Sequence, residues 1–206
     1  MIELYTWSTP NGRKVSIMLE ECALPYNVHK INIGTNSEQF APEYLKINPN
    51  GKIPSIVDPD GPDGKPISMM ESGAILIYLA DKTGRFFPEK SRYQVLQWLM
   101  FQMGSVGPMF GQAHHFMRAK KDEVPYGSER YGKEAKRLYA VMDRHLAKNE
   151  YFSQEYSIAD IAIYPWVARH EWHRVDLSDY PNVKRWYEAV GARPAVARGM
   201  AVPPLN

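Results

Sequence analysis

Short apolar runs separated by turns open the chain. "IELYT", Ile2–Thr6, predicts a strand. Val15, Ile17, Met18, Leu19 and Cys22 recur at helical spacing and predict a helix ending near Leu24-Pro25. "YNVHKINI" alternates and predicts a second strand, and "SEQFAPEYLKINPNG" predicts a short, irregular helix that stops before Pro49. "IPSIVD" and "PISMM" read as two strands joined by the turn-rich "PDGPDGK". "ESGAILIYLADKTG" predicts a helix with Gly84 as its C-cap. The order is βαβ followed by ββα.

From about Arg92 the period lengthens. Apolar residues recur every three or four positions over Tyr93 to Lys120, Glu129 to Leu146, Ser157 to Arg174 and Asn182 to Val190, which predicts helices throughout. The expected organisation is an α/β domain over 1–84, a linker over 85–91 containing Pro88, and an all-α, helical-bundle domain over 92–206. The final "VPPLN" is expected to trail over the surface. With two such domains, the cleft between them is the default ligand site.

Composition narrows the classes. With 206 residues, 44% of them hydrophobic, the chain can bury a sizeable core. A net charge of +2 without basic blocks argues against nucleic acid or membrane surfaces as partners. The single cysteine, Cys22, excludes an internal disulfide framework and fits a reducing compartment. The N-terminus lacks a signal-peptide pattern, no apolar run is long enough to span a bilayer, and a cytoplasmic location is expected.

Four stretches carry candidate chemistry, each with a plainer structural reading. In "STPNG", Thr9 caps a helix that Pro10 starts; alternatively the helix end, the Thr9 hydroxyl and the Asn11 amide form an environment that stabilises a thiolate. In "GKIPS", Pro54 is a strand-entry proline, or a cis bond presents the Ile53 backbone to a peptide-like ligand. In "ESGAI", Ser72 caps a helix, or the helix end with Glu71 receives an α-amino acid head group. "YSIAD" is a capping box, Ser157 with Asp160, and is structural. The histidines of "HEWHR" lack metalloprotease spacing, and adjacent His114 and His115 make poor joint ligands, so no metal is expected. Cys22 sits on the apolar helix face, where packing is its expected role. The glycines of "MGSVGPMFG" weaken a helix but permit close approach of a ligand or another helix.

Taken in order, "STPNG", "NPNGKIPSIVD", "MESGAILIYLADKTG" and "YSIADIAIYPW" resemble the cytosolic glutathione transferases over almost the whole chain. "TPNGRKV", "FQMGSVGPMFGQAHHF" and "PYGSERY" are most similar to the bacterial nu class, whose best-known members are disulfide-bond oxidoreductases. The resemblance implies a thioredoxin-like N-terminal domain, an all-helical C-terminal domain and a homodimer. It implies that Ile53 and cis-Pro54 hold the cysteinyl part of glutathione, Glu71 and Ser72 the γ-glutamyl part, and Gln39 and Lys52 the glycyl end. Thr9 and Asn11 match the residues around the glutathione sulfur, and Arg130 an arginine at a site that takes two glutathiones or one glutathione disulfide. The family's more common catalytic Tyr, Ser or Cys is not evident: Tyr5 lies within the first strand, and Ser8 is the nearest rival. The expected activity is glutathione-dependent disulfide reduction. The alternatives are conjugation of glutathione to small electrophiles and a non-catalytic glutathione-binding module.

Overall fold

The computed structural model describes residues 1–120 and 123–204. The chain forms two compact units, Met1–Arg85 with the segment from Pro194, and Phe86–Arg193.

The first unit is built on a four-stranded sheet, β1 (Ile2–Thr6), β2 (Tyr26–Lys30), β3 (Ser55–Asp58) and β4 (Ile67–Met70), in the order β2-β1-β3-β4. β1 and β2 are parallel because α1 (Pro10–Glu21) crosses between them, and β3 and β4 are antiparallel neighbours. Alternation along β1 separates two faces. Leu4 and Thr6 are buried on one, while Tyr5 points to the other and packs on Tyr44 of α2 (Pro42–Ile47). α1 lies on the Thr6 side. A Cβ at Gly12 would collide with Thr6 Oγ1 and the Trp7 carbonyl, so glycine lets the start of α1 approach the end of β1. α3 (Ser72–Thr83) ends at Gly84, whose φ of 66° is the left-handed cap expected there. Tyr78 and Lys82 fasten α3 to Asp58, at 2.6 and 3.2 Å.

The sequence pattern missed one element of this unit. Residues from Pro194, expected within the helical domain, form α9 (Pro194–Met200), which packs on α1. The Ser16 hydroxyl donates to the Gly199 carbonyl at 2.7 Å, and Arg198 pairs with Glu20 at 2.6 Å. Of the final stretch, Pro203 is buried rather than trailing, and Leu205 and Asn206 lie outside the described residues.

The second unit is helical. The predicted helix from Tyr93 is a composite: α4 (Arg92–Phe101), a π turn over Gln102–Val106, α5 (Gly107–His114) and a π turn over His115–Ala119. Two of the glycines there serve close packing, Gly107 against Gln102 and Trp166 and Gly111 against the Trp166 ring, whereas a Cβ at Gly104 would meet nothing. α6 runs Pro125–Leu146, starting earlier than expected because Pro125 occupies its first position. α7 (Ile158–Val167) stops short of Arg174; His170 Nδ1 bonds the Val175 carbonyl at 2.9 Å and folds the following residues into a 3₁₀ turn. α8 is Pro181–Gly191. Among the described residues no helix is long and apolar enough to cross a membrane.

The capping box is present, and it does more than cap. Asp160 is fully buried and accepts from the Ser157 N–H and hydroxyl, the Phe152 N–H and the Trp186 indole, at 2.8–3.1 Å. Burial pushes its carboxyl up to about 6. Asp160→Ala would leave four donors without their acceptor. We expect a loss of about 3 kcal/mol or more in urea unfolding. A loss below about 1 kcal/mol would mean that water replaces the carboxylate.

Candidate functional site

Strand register assembles the site in the first unit. Tyr5 pairs with Ser55, and Ser55 with Met70. The turn after β1, the residues before β3 and the residues after β4 therefore leave the sheet at the same end. Those three segments are "STPNG", "GKIPS" and "ESGAI".

At the first segment Thr9 is the N-cap of α1, with Pro10 as the first helical residue and Asn11 the second. Thr9 Oγ1 accepts from the Gly12 N–H at 3.2 Å, so its own O–H remains able to donate. No acidic residue occupies the first turn of α1, and the positive helix end is not offset there. Ser8 Oγ accepts from the Arg13 guanidinium at 3.0 Å. Tyr5 is stacked on His29, ring centroids 4.6 Å apart, within the sheet.

At the second segment the Ile53–Pro54 bond is cis. A small network holds the approach to it. Asn48 Nδ2 and the Tyr44 hydroxyl both donate to the Lys52 carbonyl at 2.6 Å, and both contact Ser55 Oγ at 3.1 Å. The ladder begins at Ser55, so Ile53 lies outside it with its side chain buried. Lys52 projects its side chain into solvent. Tyr44 and Asn48 were not singled out by the sequence, where both read as ordinary residues of an irregular helix.

At the third segment the expected capping is corrected. Glu71, not Ser72, is the N-cap of α3, and Ser72 is its first helical residue. The chain turns at Glu71 with φ 67° and ψ 108°, a conformation unfavourable for any residue but glycine, so Ser72 enters the helix one position early. Glu71 is exposed and Ser72 buried. The Ser72 hydroxyl accepts from Lys14 Nζ at 3.2 Å. Lys14, on α1, is 1% exposed; burial lowers its pKa to about 7, opposed by the charge of Glu71. The signal for Lys14 was present in the sequence: it lies on the helix face of Ile17 and Met18, where an apolar residue is expected.

Gln39 lies in a 3₁₀ turn, Glu38–Phe40, with its Oε1 buried and unpartnered. Arg130 belongs to the second unit. It is exposed on α6 and lines a cavity of about 650 Å³ with Met109, Tyr126, Tyr131, Glu134 and others. Glu134 in that cavity is held below its ordinary pKa by its bond to Arg137, and Arg130 adds to the effect. Cys22 is the C-cap of α1, roughly 20 Å along the helix from Thr9. Burial raises its pKa, and its Sγ lies 3.4 Å from Thr83 Oγ1. Among the described residues no group of three or more His, Cys, Asp or Glu could hold a metal ion.

The chain is similar to known proteins along nearly its whole length. The family model for the glutathione S-transferase N-terminal domain matches residues 9–82, and the one for the C-terminal domain residues 106–194. The disulfide-bond oxidoreductase YfcG of Escherichia coli K12 is 48% identical over 204 residues, which cover 97% of this chain and 94% of YfcG. A glutathione transferase from Burkholderia graminis, solved with two glutathione molecules per subunit, is 48% identical with a TM-score of 0.92, covering 100% of this chain and 89% of that one. A glutathione transferase from Pseudomonas putida, solved with one glutathione disulfide per subunit, is 46% identical with a TM-score of 0.93, covering 98% of this chain and 91% of that one. With both domain models matched and a relative of this identity along nearly its full length, the chain belongs to the glutathione S-transferase family.

Proposed function

We propose that this protein is a glutathione-dependent disulfide-bond reductase whose reacting thiol is that of bound glutathione. One observation carries the reading. The turn that begins α1 suits a thiolate, yet the chain's single cysteine caps the other end of that helix and is driven toward the neutral thiol. The sulfur must come with the substrate.

The residues present fit a γ-glutamyl tripeptide. Glu71 offers a carboxylate for its ammonium, and the N-terminus of α3 with Ser72 offers donors for its carboxylate. Ile53, outside the sheet ladder, offers its backbone N–H and C=O to the cysteinyl residue. Gln39, with an unpartnered buried oxygen, and Lys52 take the glycyl end. Arg130 contributes a cation for the carboxylates of the ligands. The Thr9 hydroxyl, whose oxygen accepts from the Gly12 N–H, and the Asn11 amide are the donors to the sulfur in this reading.

The reaction is thiol–disulfide exchange. The glutathione thiolate attacks one sulfur of the substrate disulfide, forms a mixed disulfide and expels the other sulfur as a thiolate, which takes a proton from water. A second glutathione thiolate attacks the glutathione sulfur of the mixed disulfide. Glutathione disulfide forms and the second substrate thiol leaves. The protein supplies orientation and charge stabilisation.

The working unit in this reading is a homodimer in a reducing cytoplasm. Support for the dimer comes from the family and from Tyr93, 85% exposed, and Met100, 52% exposed, seven residues apart on one face of α4.

Three measurements check the reading. A model disulfide should be turned over faster than a model aryl halide at saturating glutathione; much faster turnover of the halide would make conjugation the principal activity. Asn11→Ala should lower disulfide turnover about 10- to 100-fold, the loss of one hydrogen bond to a charged sulfur. Unchanged turnover would assign that role to Thr9 or Ser8. Cys22→Ser should retain activity, and an inactive but folded variant would refute a ligand-borne thiol.

A further inference from the structure

Asn48 closes α2, and all of its polar atoms are used within a few residues of itself. Its N–H donates to the Tyr44 carbonyl at 2.9 Å, and its carbonyl accepts from the Gly51 N–H at 3.0 Å. Its Oδ1 accepts from the Asn50 N–H at 3.0 Å, and its Nδ2 reaches the Lys52 carbonyl and Ser55 Oγ. The Tyr44 hydroxyl reaches the same two atoms. One arrangement of protons satisfies every group. Asn48 Nδ2 gives one hydrogen to Lys52 and one to Ser55, Tyr44 gives its own to Lys52, and the Ser55 hydroxyl donates to Tyr44 Oη. Tyr44, Asn48 and Ser55 are each at most 4% exposed, so bulk water does not compete for the network.

One donor would satisfy the Lys52 carbonyl, and here two buried side chains converge on it at 2.6 Å. A trans peptide is planar, with its C=O and N–H pointing opposite ways. The Lys52–Ile53 bond is trans, since the cis bonds among the described residues are Ile53–Pro54 and Val202–Pro203. Fixing the Lys52 carbonyl therefore fixes the Ile53 N–H, which points away from Tyr44 and Asn48. Strand pairing does not set that direction, because the ladder begins at Ser55.

We propose that Tyr44 and Asn48 are positioning residues for glutathione: by clamping the Lys52 carbonyl they aim the Ile53 N–H at the cysteinyl residue before the ligand arrives. This rests on glutathione being the ligand. Neither side chain touches a reacting atom in this role. The clamp removes the cost of ordering that peptide on binding, so it governs affinity more than the chemical step.

Tyr44→Phe removes one of the two donors and keeps the ring against Tyr5. It should raise KM for glutathione about 5-fold while kcat at saturation stays within about 2-fold. Asn48→Asp, which loses both side-chain hydrogens and sets a carboxylate against the Lys52 carbonyl, should raise KM further. Exchange of the Ile53 amide hydrogen, followed by NMR, reads the aim of the N–H directly. Saturating glutathione should slow that exchange about 10-fold or more in the wild type. Glutathione binding that leaves Ile53 exchange unchanged, or an unchanged KM in folded Tyr44→Phe, would each overturn the role of the clamp and leave glutathione as the ligand. No binding of glutathione to the wild type would overturn both. The wild-type measurement stands even if neither variant folds.

Discussion

Tyr5, Ser55 and Met70 form one row across three strands, and the site hangs from that row. Each of the three segments around it is short and locally unremarkable. Their chemistry arises because register brings them out at one end of the sheet. Side chains in a strand alternate, so a slip of one residue between β1 and β3 would turn Leu4 and Ile56 out of the core. The same burial that stabilises the sheet therefore fixes the relative positions of Thr9, Ile53 and Glu71. Gly12 at the start of α1 and the Tyr78–Asp58 bond from α3 carry that placement into the helices.

The starts of α1 and α3 at the assembled end suit an incoming anion. The first turn of α1 has no acidic residue, and the start of α3 is backed by Lys14. A protein cysteine at such a place would be a permanent reactive thiol. Here the one cysteine is displaced to the opposite end of α1, beside Thr83, where burial raises its pKa. In the proposed reading the two helix starts divide the work on one ligand, one facing the sulfur and the other the carboxylate.

Much of this was legible in the sequence wherever the cause was local. Thr9 with Pro10, Ser157 with Asp160, and Gly84 announce helix ends by residue type alone, and each sits where its chemistry puts it. The first strand followed from a short apolar run, the second from alternation, and the third and fourth from the turn-rich "PDGPDGK" between them. What escaped was set by tertiary contact. Glu71 gives no sign that it will adopt a positive φ, so the cap was placed one residue late. α9 is too short for a periodic signal and owes its place to Gly199 against Ile17. Lys14 reads as a solvated lysine unless its position on the buried face is given more weight than its residue type. The roles of Thr9, Asn11, Gln39, Lys52, Ile53, Glu71, Ser72 and Arg130 came from resemblance to a family; residue pattern alone left the plainer readings open.

The central claim is that the fold activates a thiol it does not own. The most direct measurement is the ultraviolet thiolate absorbance of glutathione bound to the protein, followed across pH. The account predicts a thiolate band that appears on adding glutathione and titrates about one unit or more below free glutathione. A band that titrates as it does in free solution would contradict it.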